Sequence, residues 1–210
     1  MDMCQAKKES TAYYYCKRLM DIVGAIIGII LFSPLFILIP ILIKLDSKGS
    51  VFFIQTRCGK EGRPFKIIKF RSMVMDAEKS LNDLEHLNEA DGPVFKIRED
   101  PRRTRFGKFL RRTSLDELPQ LLNVLKGDMS LVGPRPPLPA EVARYTPYQR
   151  QRLSVKGGLT CYWQICGRSN LSFDEWVELD LKYIRERNLW VDIKIILKTL
   201  PLIFTSRGAY

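Results

Sequence analysis

IVGAIIGIILFSPLFILIPILI, residues 22–43, is a stretch of 22 residues without a single charge. About 20 apolar residues are enough to cross a hydrocarbon core of roughly 30 Å, so this segment is expected to meet a membrane. It is too long for a cleaved signal peptide, and no small-residue cleavage site follows before Lys44 and Asp46. Ser33-Pro34 stands at its middle, where proline removes a backbone hydrogen bond and clashes with the preceding turn. Ile22 to Ser33 and Pro34 to Leu45 are 12 residues each. At about 1.5 Å per residue either half reaches roughly 18 Å, short of a span. Both flanks are basic, with Lys7, Lys8, Lys17 and Arg18 before and Lys44, Lys48, Arg57 and Lys60 after. Positive flanks prefer the cytoplasmic side, so a re-entrant hairpin broken at Ser33-Pro34 fits better than its alternative, one kinked transmembrane helix.

The 210 residues suit one domain plus this anchor. Lys and Arg number 34 against 23 Asp and Glu, a net charge of +11, which favours nucleic acid, anionic lipid or phosphorylated substrates without choosing among them. The cysteines (Cys4, Cys16, Cys58, Cys161, Cys166) include no CxxC pair, and His86 is the only histidine, which argues against structural zinc. Scattered and odd in number, they fit a reducing compartment, with Cys161 and Cys166 read as packing residues.

The rest reads as mostly helical α+β. Val51–Arg57 and Pro64–Arg71 are β-branched or aromatic runs around the turn-forming Cys58–Arg63, a β-hairpin. Residues 76–91 suggest a short polar helix with His86 on its surface. Apolar residues at Phe106, Phe109 and Leu110, then Leu118, Leu121, Leu122 and Leu125, give two helices that meet near Thr113 and Ser114. Ser114-Leu115-Asp116-Glu117 has the form of a capping box, while Pro119 suits only a first turn; either way Asp116 and Glu117 begin a helix. Gly127 ends that helix, and GPRPPLP at 133–139 is a stiff loop. Ser172 to Glu175 opens another helix, whose stripe of Phe173, Trp176, Val177, Leu181 and Ile184 includes Asp180. A final amphipathic helix sets Ile193, Ile196, Leu197 and Leu200 on one face, turned either to a membrane surface or to the core.

Adjacent acids at a helix start are common, since the helix dipole favours them by about 0.3–1 kcal/mol. The company of Asp116-Glu117 distinguishes it: Arg111 and Arg112 precede it, and Arg135 lies in the proline-stiffened loop. The planar guanidinium fork matches phosphate oxygens, and a rigid loop holds it without ordering cost. Lys69 and Arg71, at the end of the second strand, add cations for a diphosphate. A carboxylate in such a setting can attack phosphorus, and magnesium, which takes one or two carboxylates plus substrate phosphates, would offset the repulsion. Asp180 on an apolar face needs a partner, either an arginine or a ligand, and Asp192 either caps the last helix or joins the site.

With these residues in hand the chain strongly resembles the bacterial sugar transferase family, the monotopic phosphoglycosyl transferases that start polyprenol-linked glycan assembly. The resemblance runs from Lys17 to the C-terminus. It rests on the Ser33-Pro34 break, KFRSM at 69–73, RRTSLDELPQLLNVLKGDMSLVGPRP at 111–136 and QICGR at 164–168. It implies a tail and re-entrant membrane helix over 1–48 and a catalytic domain over 49–210 at the cytoplasmic face of the bacterial inner membrane. It further implies Mg2+ dependence and a ping-pong reaction in which Asp116 attacks a UDP-sugar, expels UMP and passes the phosphosugar to polyprenyl (undecaprenyl) phosphate.

Glu117 matches the partner glutamate, a metal or acid–base group, so that Asp116 and Glu117 are the expected metal ligands. Lys69, Arg71, Arg111 and Arg135, with Asp180 and Asp192 on weaker grounds, are the expected substrate-binding residues. Membrane lipid is an implied partner, nucleic acid is not, and a homodimer is compatible with the pattern. Cys161 and Cys166 stand where many members carry Gly and Asn, which leaves the sugar open. The chain is similar to the catalytic half of longer members. The rival readings are a basic peripheral membrane protein without catalysis and a lipid phosphatase using an aspartyl intermediate.

Overall fold

The computed structural model describes residues 10–167 and 171–205, so Cys4, Lys7, Lys8 and the Arg168 of QICGR lie outside the described residues. Helix α1 (Thr11–Leu31) starts on Ser10, whose side chain accepts from the Tyr13 N–H, and α2 (Ser33–Asp46) follows after Phe32. The two are bent by 60°; no single described helix is long and apolar enough to cross a membrane, but the bent pair together has the length and composition. Pro34 explains the break. It sits in the first turn of α2, where its missing N–H costs nothing, while the Phe32 N–H still closes the last turn of α1 on the Gly28 carbonyl.

One side of the pair packs on the domain and the other is bare. A side chain at Gly24 would meet Leu131 and one at Gly28 would touch Leu121, and Ala25 between them is buried, so small residues let α1 lie close. Val23, Ile26, Ile27, Ile30 and Leu31 on α1, and Ile37, Leu38, Ile41 and Leu45 on α2, remain exposed.

The expected hairpin is present as β1 (Phe52–Cys58) and β2 (Pro64–Phe70), antiparallel, with Phe52 opposite Phe70 and Cys58 opposite Pro64. The polar stretch 76–91 is not an α-helix: turns lead into a 3-10 segment, Asn82–Leu87, that holds His86. Helix α3 (Arg105–Thr113) ends at Ser114, which takes a left-handed conformation, closes α3 with its N–H and makes no side-chain capping bond; Leu115–Glu117 form one 3-10 turn before α4 (Gln120–Lys126). The expected capping box is thus replaced by a sharp reversal, and Pro119 caps α4 instead. Gly127 closes α4 with φ of 94°, a conformation glycine adopts without strain.

A second, parallel pair joins β3 (Ser130–Val132) to β4 (Gly158–Thr160), with α5 (Pro139–Ala143) and α6 (Pro147–Arg150) between them. After α7 (Tyr162–Cys166), α8 (Phe173–Glu186) opens on the expected Ser172–Glu175 capping box and buries Phe173, Val177, Leu181 and Ile184. The last helix, α9 (Leu189–Thr205), buries Ile195 and Asp192 and leaves Ile193, Leu197, Leu200 and Trp190 exposed. Of the expected apolar stripe, Ile193, Leu197 and Leu200 are bare while Ile196 packs against the core.

Three apolar clusters hold these parts together. The largest gathers Val132, Tyr145, Cys161, Val177, Leu181 and Ile195; a second seats α1 on α4 through Ala25, Leu121 and Val124; a third packs Ile39 and Ile43 of α2 on Phe70 and Leu110. Cys161 is buried, as expected of a packing residue, whereas Cys166 is exposed.

Candidate active site

The carboxylate pair lies where β2, α3 and α4 converge. The left-handed Ser114 turns the chain from α3 into the 3-10 turn, which places Asp116 inward at 6% exposure and leaves the Glu117 side chain about 38% exposed. Lys69, at the end of β2, donates to Glu117 Oε1 at 2.6 Å. KFRSM is explained by this junction: Lys69 reaches the pair, Phe70 is core, and the Ser72 carbonyl accepts from Thr104 where Gly107 leaves room for it.

Burial pushes the Asp116 carboxyl up to about 6; Lys69 and Arg111 pull the other way, and the neighbouring Glu117 adds to the rise. Burial also pushes Glu117 up, but Lys69, with Arg135 and Gln120, outweighs it and holds that carboxyl below its usual range. The two acids are therefore driven apart, one a raised and protected carboxylate, the other a persistent anion.

Arg135 is positioned by the proline-rich loop, which is stitched down on both sides. Cys58 N–H donates to the Pro137 carbonyl and Arg57 to that of Pro136, while Gly158 N–H donates to Pro134 and Gly133 N–H to Thr160. Side chains at Gly157 or Gly158 would collide with this backbone, so glycine is what lets the loop lie against β4. Arg135 faces Glu141 at 3.7 Å and stacks 5.5 Å from the centre of the Trp176 ring.

Arg57, not anticipated from sequence, is buried beneath this loop. Burial first, then Arg135, lowers its pKa to about 9, while Glu141 and Glu117 oppose the change. Its place as the one charge in the strand run 51–57 was the only signal in the sequence; the loop it lies beneath is brought there by tertiary structure.

Three expected site residues are not brought to the carboxylates. Arg71 is buried and donates to the Ser47 and Lys48 carbonyls, tying the end of α2 to the hairpin. Asp180 is fully buried and takes both Nε and Nη2 of Arg152 at 2.8 and 2.7 Å. Burial still holds it above the ordinary carboxylate range despite that arginine. Asp192, also fully buried, accepts from Lys17 at 2.8 Å and from the Tyr183 hydroxyl at 2.8 Å, clamping α9 to α1.

Asp21, Asp100, Asp180 and Asp192 are each buried and each accept from other residues. Among the described residues Asp116 alone is a buried acid without an ion pair or a hydrogen bond to another residue's side chain. The described residues contain no cluster of three or more metal-type side chains. A divalent ion here would rest on Asp116 and Glu117 and on oxygens of a bound phosphate, the sparse mode that Mg2+ uses, and the two hard carboxylates fit it.

A buried carboxylate without a side-chain partner, beside a fixed anion and within the influence of Lys69 and Arg111, is suited to group transfer. Residues 12–206 match the family model for bacterial sugar transferase, and the chain belongs to that family. It is 49% identical over 199 residues to the galactosyl transferase CpsE of Streptococcus agalactiae serotype III (strain NEM316), covering 94% of this chain and 44% of that one. It is 41% identical over 198 residues to the exopolysaccharide production protein ExoY of Rhizobium meliloti (strain 1021), covering 92% and 88%. It is 42% identical over 203 residues to the UDP-glucose:undecaprenyl-phosphate glucose-1-phosphate transferase of Escherichia coli (strain K12), covering 92% and 41%. The chain thus spans less than half the length of two of these relatives.

Proposed function

We propose that this chain transfers a phosphosugar from a UDP-sugar to a polyprenyl phosphate and releases UMP, with a phosphosugar ester of Asp116 as intermediate. The observation that carries this reading is the Asp116 carboxylate, buried yet unpaired, within the influence of Lys69 and Arg111. An Asp116 oxygen attacks the β-phosphorus, and the bond from that phosphorus to the bridging oxygen breaks, the electron pair leaving with UMP. An oxygen of the lipid phosphate then attacks the same phosphorus and returns the carboxylate.

Arg111 and Arg135 are the guanidinium groups we assign to the substrate phosphates, with Lys69 neutralising the pair. Glu117 stays ionised, which suits a charge or metal role better than proton transfer. When bound, Mg2+ held by Asp116 and Glu117 would offset the charge of an anionic nucleophile approaching a diphosphate. The relatives' names support the substrate class: one names UDP-glucose and undecaprenyl phosphate, another galactosyl transfer. Incubation with a panel of UDP-sugars tests the reading; UMP release from at least one is expected, and release from none would defeat it.

The exponent of this chemistry is pH. With Asp116 at about 6 before a divalent ion binds, the first step is expected to lose roughly tenfold in rate per unit on the acid side of that carboxyl's titration and to level off above it; bound Mg2+ would move the limb to lower pH. Lys69 lowers that pKa, so Lys69→Met should move the acid limb to higher pH. Single-turnover UMP release across pH measures both, and an unmoved limb would sever Lys69 from the nucleophile.

The bent α1–α2 pair is assigned as a re-entrant membrane element with both ends cytoplasmic, and residues 49–210 as a catalytic domain at the cytoplasmic face of the inner membrane. The exposed apolar faces of α1, α2 and α9 support contact with lipid. Pro34→Ala is expected to straighten the pair into a span, so that a cysteine introduced as Ser10→Cys becomes reactive from the far side. Unchanged reactivity would mean that packing at Gly24 and Gly28 sets the bend.

A further inference from the structure

A cavity of about 60 Å³ lies away from the carboxylate pair, neither member of which lines it. It is lined by Lys17, Arg18, Lys60, Lys156 and Arg187, with Asp21 as its acid. A single water needs about 10–15 Å³, so the space admits a group of several heavy atoms.

It lies at the other end of the elements that build the active site. Lys69 is at one end of β2 and Lys60 is in the turn beyond the other, which at about 3.3 Å per residue puts them roughly 20 Å apart. Likewise Glu117 precedes the start of α4, while Arg18 donates to Val124 and Leu125 at its end, both at 2.6 Å.

The cations lining this cleft outnumber its acids. Lys17 is satisfied by Asp192 and the Val132 carbonyl. Asp21 accepts from the Ser130 hydroxyl and the Leu131 N–H, and Asp128, the other nearby acid, faces Lys126 at 3.4 Å. The side-chain ammonium of neither Lys60 nor Lys156 makes an ion pair or hydrogen bond among the described residues, and Lys156 is partly buried. Burial first, then Arg18, lowers the Lys156 pKa; Asp21 and Asp128 oppose the change without cancelling it, and Lys60 adds to it. Five cations, Lys17, Arg18, Lys60, Lys156 and Arg187, share this cleft with Asp21, and an added anion relieves that excess of positive charge. Gly127 leaves the approach open: a side chain there would stand 3.5 Å from Arg18 and 3.8 Å from the Lys156 nitrogen.

We propose that this cleft is a second anion site, distinct from the Asp116–Glu117 pair, that binds a phosphate group through Arg18, Lys60 and Lys156. Two sources share that chemistry. One is the headgroup of an anionic phospholipid, since Arg18 lies four residues before the start of the apolar run at Ile22; the other is a soluble phosphate. The site stands independently of the transfer reaction proposed for Asp116.

The test is amine-reactive labelling of the full chain in phosphatidylcholine nanodiscs, read lysine by lysine by mass spectrometry. One arm adds phosphatidylglycerol to the bilayer and the other adds inorganic pyrophosphate to the buffer. Labelling of Lys60 and Lys156 is expected to fall severalfold in at least one arm, while Lys79, 79% exposed and remote from the cleft, stays unchanged. Protection by phosphatidylglycerol alone identifies the headgroup as the source, and protection by pyrophosphate identifies soluble phosphate. Lys156→Gln should abolish protection of Lys60, and Lys60→Gln that of Lys156. No protection in either arm, protection shared equally by Lys79, or protection at each lysine that survives loss of the other would overturn the site.

Discussion

Asp116→Asn is expected to lower both UMP release and phosphosugar transfer by at least about 10³-fold, because loss of a covalent nucleophile removes the whole two-step route. The amide is nearly the size of the carboxylate, and the position makes no hydrogen bond to another side chain, so membrane association and thermal stability should stay near wild type. Radiolabel transfer from a UDP-sugar to lipid, with melting as the control, reads both. Full activity would end the nucleophile assignment, and collapse of the fold would make Asp116 a structural residue.

Arg152→Ala is expected to cost stability, not chemistry alone. Its guanidinium is held by fully buried Asp180, by the Tyr145 hydroxyl at 2.9 Å, and over the Trp176 ring at 4.9 Å. Removing one partner of a buried ion pair typically costs about 3–5 kcal/mol, because the other charge is left in a low-dielectric interior. For a chain of this size, at about 2–4 °C per kcal/mol, the midpoint should fall by roughly 6–20 °C. Replacing both members, Arg152→Met with Asp180→Leu, should recover much of that loss, since two apolar side chains leave no orphan charge. A double variant as unstable as Arg152→Ala would show that the arginine's ring contacts, not the pair, hold the cluster.

What could be read from the sequence was local. The hairpin, the meeting of two helices near Ser114, the stop at Gly127 and the Ser172 capping box each depend on residues a few positions apart, and all are present. The stiffness of the GPRPPLP loop was legible from its prolines, though its fastening to β1 and β4 was not. The β3–β4 pair was missed because three-residue strands have no periodicity, and their pairing joins Ser130 to Gly158 across distant sequence.

Asp180 was visibly in need of a partner, but with so many arginines available only tertiary structure could select Arg152. Arg71 was drawn toward the site by its place at the end of the second strand and Asp192 by resemblance; in the structure they fasten α2 and α9. On α9, spacing identified an apolar stripe but not its direction. The neighbouring Ile195 and Asp192 face the protein, and Ile193, Leu197 and Leu200 face outward.

At the centre stands one covalent bond, from the side chain of Asp116 to the phosphorus of a phosphosugar. The most direct measurement is a mass spectrum of the peptide containing Asp116 after the protein meets a UDP-sugar in the absence of acceptor lipid. A single added phosphosugar on Asp116, lost when polyprenyl phosphate is supplied, is the predicted result. An unmodified Asp116 peptide accompanied by stoichiometric UMP, or the phosphosugar on a different residue, would contradict it.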